Sequence, residues 1–154
     1  YLAESYLEEW REQNNILTLP GNYILIEFSM LFAPSERIME TLFQLKLKGY
    51  KLIIAHPERY LYWKNNRKAF ERLKIFNLYF QMNSLSLIGY YGPDVQKLCK
   101  QLIELEMYDF IGTDTHRMEQ LAYTQKTPIQ LNQKSIEIVE TLVTANKTFE
   151  TIPI

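Results

Sequence analysis

The amino-acid sequence predicts an α/β fold of parallel strands joined by helical crossovers, and three observations carry that prediction. Apolar spacing switches repeatedly between the strand period and the helix period along the 154 residues, in the order strand, helix, strand, helix, strand, helix, strand, helix. No Ser/Gly/Pro-rich linker separates these segments, so a single domain over residues 1–154 is the economical organisation. Two apolar runs, Leu52 to Ala55 and Phe110 to Gly112, break abruptly into His56-Pro57-Glu58-Arg59-Tyr60 and Thr113-Asp114-Thr115-His116-Arg117. That is the pattern of a buried parallel strand ending at the mouth of a site.

The elements follow in order. Leu2, Tyr6, Leu7 and Trp10 share one face of an opening helical pattern. Ile16 to Leu19, a Pro20-Gly21-Asn22 turn and the strand-like Tyr23 to Phe28 form either a hairpin or a loop entering one strand. A helix is predicted from Ser35, whose hydroxyl caps free amides, to Gly49, with Ile38, Met39, Leu42 and Leu45 on its buried side. Lys51 to Ala55 is the next strand. A helix from about Asn66 to Phe76 and a third apolar run, Leu78 to Met82, come next. Pro93 suits the first turn of a helix with Val95, Leu98, Cys99, Leu102 and Leu105 as its stripe. Phe110 to Gly112 is a short fourth strand, and a last helix from about Asn132 to Ala145 uses Ile136, Val139, Leu142 and Val143 before an irregular tail.

Composition removes several function classes. The chain is 47% apolar and 23% charged with a formal charge of −1, enough for one core and without the basic bias of a nucleic-acid binder. No apolar run approaches the roughly 20 residues that span a bilayer, and no secretory leader pattern occurs, so no membrane insertion is expected. The single cysteine, Cys99, forms no internal disulfide and lies in a helical apolar stripe, which points to a cytoplasmic location and a core role rather than a nucleophile. There is no phosphate-binding Gly-x-x-x-x-Gly-Lys loop and no Gly-x-Ser-x-Gly elbow.

Functional groups gather at the carboxyl ends of strands in such folds, and four predicted strand ends carry Glu27, His56, Asn83 and the Asp114-x-His116 pair. Two imidazoles and two carboxylates suit a borderline cation such as zinc, manganese or iron. Each residue also has an ordinary reading: partly buried histidines, an aspartate that caps a turn, a Glu27 held by an ion pair inside its apolar run. Arg59 offers a planar fork of donors to a phosphate or a carboxylate, with Glu58 placed to orient it, or is simply solvated. Asn83 either donates an amide hydrogen bond to substrate or holds its own turn.

The segments Tyr23-Ile24-Leu25-Ile26-Glu27-Phe28, Ala55-His56-Pro57-Glu58-Arg59-Tyr60, Gln81-Met82-Asn83 and Gly112-Thr113-Asp114-Thr115-His116 together resemble the bacterial PHP-domain protein-tyrosine phosphatases of the CpsB, CapC and YwqE type. The resemblance runs over nearly the whole chain in consistent order, and its His-Pro-Glu-Arg-Tyr segment is its most specific part. It implies a distorted (β/α) barrel, a cluster of divalent metals (manganese, with iron and zinc as alternatives) and hydrolysis of phosphotyrosine on a tyrosine kinase that controls capsule or exopolysaccharide assembly. By position, Glu27, His56, Asp114 and His116 resemble metal ligands, and Arg59 the catalytic arginine that binds the substrate phosphate.

One departure stands out. The family opens with a His-x-His pair, and this chain has none. Four predicted strands are also too few for a closed eight-stranded barrel. The expectation is therefore the carboxyl-terminal portion of a PHP phosphatase domain, a partial barrel with an incomplete metal cluster whose own activity is open. Two other readings stand beside it: a PHP-type small-molecule phosphoesterase of the histidinol-phosphatase kind, and a non-catalytic interaction domain.

Overall fold

The computed structural model describes the backbone of Leu2–Ala3 and residues 16–150. Five strands form one all-parallel sheet in sequential order: β1 (Leu2–Ala3), β2 (Tyr23–Glu27), β3 (Lys51–Ala55), β4 (Tyr79–Asn83) and β5 (Phe110–Gly112). Each strand pairs with its predecessor, the topology of a (β/α) barrel segment, and among the described residues the sheet does not close. The crossovers contain α1 (Glu36–Leu47), α2 (Arg67–Ile75), α3 (Ser84–Leu87) and α4 (Pro93–Glu104), while α5 (Met118–Lys126) and α6 (Gln133–Ala145) follow β5. No helix among the described residues is long and apolar enough to cross a membrane.

Alternation along the strands separates two cores. Ile24, Ile26, Leu52, Ile54, Phe80 and Met82 meet Ile38, Leu42 and Leu45 of α1, Phe70 and Leu73 of α2, and Leu98 and Leu102 of α4. The opposite face carries Tyr23, Leu25, Ile53, Tyr79 and Phe110, covered by Phe149 from the terminal 3₁₀ turn. The ring of Tyr23 meets those of Tyr79, Phe110 and Phe149 edge-on at centroid distances of 5.3–5.8 Å. The side chain of Asn146 accepts from Ile111 N–H at 3.3 Å and donates to Ile111 C=O at 2.6 Å, which occupies the otherwise open edge of β5.

Helix α1 begins and ends where its sequence dictates. Ser35 Oγ accepts from Ile38 N–H, and Gly49 takes the left-handed conformation after the last turn, with Tyr50 N–H bonded back to Leu45 C=O. Pro93 opens α4, which buries Val95, Leu98, Cys99, Leu102 and Ile103.

The structure corrects several expectations. Leu2 and Ala3 form an edge strand beside Ile26 and Glu27 rather than a helix, because their backbone groups complete the free side of β2; Tyr6, Leu7 and Trp10 lie outside the described residues. Of the two alternatives for Pro20-Gly21-Asn22, the structure shows a tight turn entering β2, closed by a single antiparallel Leu19–Tyr23 bridge. On α6, Ile136 and Val143 face outward, and Ile138, Val139 and Leu142 pack inward. Helices α3 and α5 were not legible from apolar periodicity.

Candidate metal centre

The ends of β2, β3, β4 and β5 deliver their polar residues to one place. Glu27 is the last residue of β2, on the same sheet face as Tyr23 and Leu25. His56 follows β3 directly and adopts a left-handed backbone with φ 35°, a strained conformation for a side chain bearing Cβ. Asp114, two residues beyond β5, is also left-handed, at φ 47°. These two turns bend the chain out of the strand direction and aim both side chains across the strand ends.

Asp114 is the hub. Its Oδ2 accepts from Arg59 Nη1 at 3.1 Å and from Asn83 Nδ2 at 3.3 Å, and lies 3.9 Å from His56 Nε2. Its Oδ1 lies 3.0 Å from His116 Nε2. The same Nε2 of the buried His56 ring stands 3.3 Å from Glu27 Oε1. The predicted ligands thus come together, joined by the predicted phosphate-binding arginine and by Asn83. His116 is the outlying member, with 67% of its side chain exposed, and its backbone N–H is held by Gln120 Oε1 at 2.8 Å.

Below this layer lies a buried anchor. Both oxygens of the fully buried Glu58 are engaged, Oε1 by Asn83 N–H at 3.0 Å and Oε2 by Tyr108 O–H at 2.9 Å. Burial pushes this carboxyl above its ordinary range, opposed by the nearby Ser86 hydroxyl and by the Asn83 amide. The expectation that Glu58 orients Arg59 is therefore overturned. Its carboxyl turns inward to the end of β4, and Arg59 instead contacts Asp114 and Tyr91, with the guanidinium carbon 4.2 Å from the Tyr91 ring centroid. Tyr60 O–H accepts from Phe28 N–H at 2.9 Å, tying the His56 loop to the residue after Glu27. Cys99 is buried, and burial raises its thiol well above the ordinary range, as suits a core residue.

Asn83 holds its own turn, the second of its two predicted roles, and its amide nitrogen faces the cluster. Its Oδ1 caps α3 by accepting from Leu85 N–H at 2.9 Å, and its Nδ2 faces Asp114 and the Tyr91 hydroxyl. Tyr91 was missed from the sequence. Its only signal was the Gly89-Tyr90-Tyr91-Gly92-Pro93 turn beside a predicted strand end.

The donor set fits a divalent ion in kind: two imidazole nitrogens and two carboxylates. Ligand pairs on one ion, with bonds near 2.1 Å, stand about 3.0–3.4 Å apart. The Glu27–His56 and Asp114–His116 separations of 3.3 and 3.0 Å match that range, and the His56–Asp114 separation of 3.9 Å exceeds it. Among the described residues no three donors stand in finished metal-site geometry. Arg59 and Asn83 already engage Asp114 Oδ2, and His116 is turned toward solvent. Among the described residues His56 Nδ1 is buried without a hydrogen-bond partner, and Nε2 is the ring nitrogen that faces the two carboxylates.

Comparison with known proteins places the chain among relatives of one family. The family model described as capsular polysaccharide synthesis, CpsB/CapC, matches residues 1–148. The chain is 36% identical over 98 residues to the tyrosine-protein phosphatase YwqE of Bacillus subtilis, covering 63% of this chain and 38% of that one. It is 30% identical over 129 residues to the tyrosine-protein phosphatase CpsB of Streptococcus pneumoniae, covering 77% and 53%. A solved structure from work on YwqE and CpsB, described as unique metal-dependent tyrosine phosphatases, superposes with a TM-score of 0.58 at 32% identity, over 76% of this chain and 44% of that one. The chain therefore spans between about two fifths and one half of the length of these relatives. With a family model covering 148 of its 154 residues and the strand-end cluster assembled in the fold, the chain belongs to the CpsB/CapC family of capsular polysaccharide synthesis.

Proposed function

We propose that this chain forms one portion of a divalent-metal-dependent protein-tyrosine phosphatase, a single domain that acts in the cytoplasm on a phosphotyrosine protein, a bacterial tyrosine kinase governing capsule or exopolysaccharide synthesis. One observation carries the reading: Arg59, a phosphate-type donor, converges on Asp114 within the same cluster as Glu27, His56 and His116. Glu27, His56, Asp114 and His116 would hold the metal, manganese in the first instance with iron or zinc as alternatives. An ion bound there supplies Lewis-acid polarisation of a phosphoryl oxygen and acidifies a water.

The chain's own side chains do the rest. Arg59 engages Asp114 through Nη1, and Nε and Nη2 have no hydrogen-bond partner among the described residues, so a fork of donors is left for phosphate oxygens. Its fixed positive charge neutralises the negative charge that spreads over those oxygens as the ester bond breaks. Asn83 Nδ2 adds a neutral donor on the same side. The shared description of YwqE and CpsB as tyrosine phosphatases supports this reading over a small-molecule phosphoesterase or a non-catalytic module.

The test is turnover of phenyl phosphate by the chain loaded with Mn²⁺. Turnover that a chelator abolishes, and that Arg59→Ala lowers by about 100-fold or more without a change in melting temperature, is the expected result. Turnover persisting in metal-free protein would remove the metal from the mechanism, and an Arg59→Ala chain as active as the wild type would remove the arginine from it.

A further inference from the structure

We infer that Tyr91 is the positioning residue for the phosphate-binding arginine: its ring face holds the Arg59 guanidinium in place over the strand-end cluster. This rests on the reading of Arg59 as the phosphate contact. Four side chains close a ring of interactions. Arg59 lies over the Tyr91 ring with Cζ 4.2 Å from the centroid. The Tyr91 hydroxyl receives Asn83 Nδ2 at 3.4 Å, the same Nδ2 reaches Asp114 Oδ2 at 3.3 Å, and that oxygen receives Arg59 Nη1 at 3.1 Å.

Two features make Tyr91 a fixed support rather than a chance neighbour. Its backbone is set by the chain before and after it. Gly89 is left-handed past the end of α3, with Tyr90 N–H returning to Leu85 C=O at 3.0 Å, and Gly92 N–H closes the turn onto Gly89 C=O at 3.0 Å before Pro93 starts α4. Burial also raises the phenol above its ordinary range, so the hydroxyl stays protonated and the ring neutral.

The division of labour follows from charge. Asp114 is the only carboxylate bonded to Arg59 among the described residues, and it is also a proposed metal ligand. A side chain that must serve the ion cannot by itself fix the guanidinium, whereas a neutral ring face holds a cation without competing for the metal. A long arginine stem oriented before substrate arrives also loses less conformational freedom on binding.

The experiment titrates the metal-free chain with phenylphosphonate, a non-hydrolysable aryl phosphate analogue, and follows the Arg59 side-chain N–H resonance by NMR. In the wild-type chain that resonance should lie upfield under the ring current of Tyr91. Tyr91→Phe keeps the ring, and should keep both the shift and an affinity within about threefold. Tyr91→Leu should move the resonance to its solvent-exposed position and weaken binding about tenfold, within the range of a partly desolvated cation–π contact. An Arg59 resonance at the exposed position in the wild type, or Tyr91→Leu binding like the wild type, overturns the role of Tyr91. Arg59→Ala binding as tightly as the wild type, or a wild-type chain that does not bind, overturns instead the reading of Arg59 on which it rests.

Discussion

The two halves of the strand-end site are held in opposite ways. The half that follows β3 is locked from beneath: Glu58 is sealed between Asn83 N–H and Tyr108 O–H, and Tyr60 reaches across to Phe28 N–H. The half that follows β5 stands at the rim, with Asp114 one quarter exposed, His116 two thirds exposed, and the polypeptide held by the Gln120 side chain. Framework and ligand supply are thus divided within one site. Changes beneath His56 should cost folding stability, and changes around His116 should cost ligand binding alone.

The largest expected effect is that of Glu58→Ala. It leaves the Tyr108 hydroxyl and the Asn83 amide buried without acceptors, each worth about 1–3 kcal/mol, so a loss of about 3 kcal/mol or more should appear in urea denaturation near pH 5. A variant as stable as the wild type would break the comparison at its firmest point.

Glu58→Gln sharpens the same point through pH. The folded protein raises the affinity of this carboxyl for its proton, so its contribution to stability is fully present below the ordinary value of 4.5 and is lost as pH rises through the folded value. The neutral amide resembles the protonated acid and donates to the Tyr108 hydroxyl, which can turn to accept. The stability of Glu58→Gln relative to wild type should therefore rise as pH increases above 4.5, and a difference that is flat with pH would refute a shifted carboxyl.

Tyr60→Phe comes next. Removing the hydroxyl orphans Phe28 N–H and should lower stability by about 1–2 kcal/mol, read as a shift of the denaturation midpoint. At the rim, His116→Ala should change stability by less than about 0.5 kcal/mol. Its Mn²⁺ affinity should fall at least about tenfold, and a variant that binds Mn²⁺ normally would remove His116 from the ligand set.

Much of this division could not be read from residue order. The strands and the four proposed ligands were legible because apolar runs end in ionisable groups, and burial of the run forces the ionisable group to the strand's exit. Glu58 was misread because nothing in Pro57-Glu58-Arg59 shows which of two adjacent charged side chains turns inward; the 3₁₀ turn over those residues decides it. Tyr91 sits in a turn without periodicity. Helix α5 gave no apolar stripe because its Met118 and Leu121 are exposed. The edge strand Leu2–Ala3 is too short to carry an alternation.

The central claim, that side chains from separate strands share one metal centre, can be tested through the chain's two histidines. In an imidazole ¹H–¹⁵N spectrum recorded during addition of substoichiometric Mn²⁺, the signals of His56 and His116 should broaden together at the same dose. Broadening of one ring while the other stays sharp, or of neither at saturating ion, would contradict a shared centre.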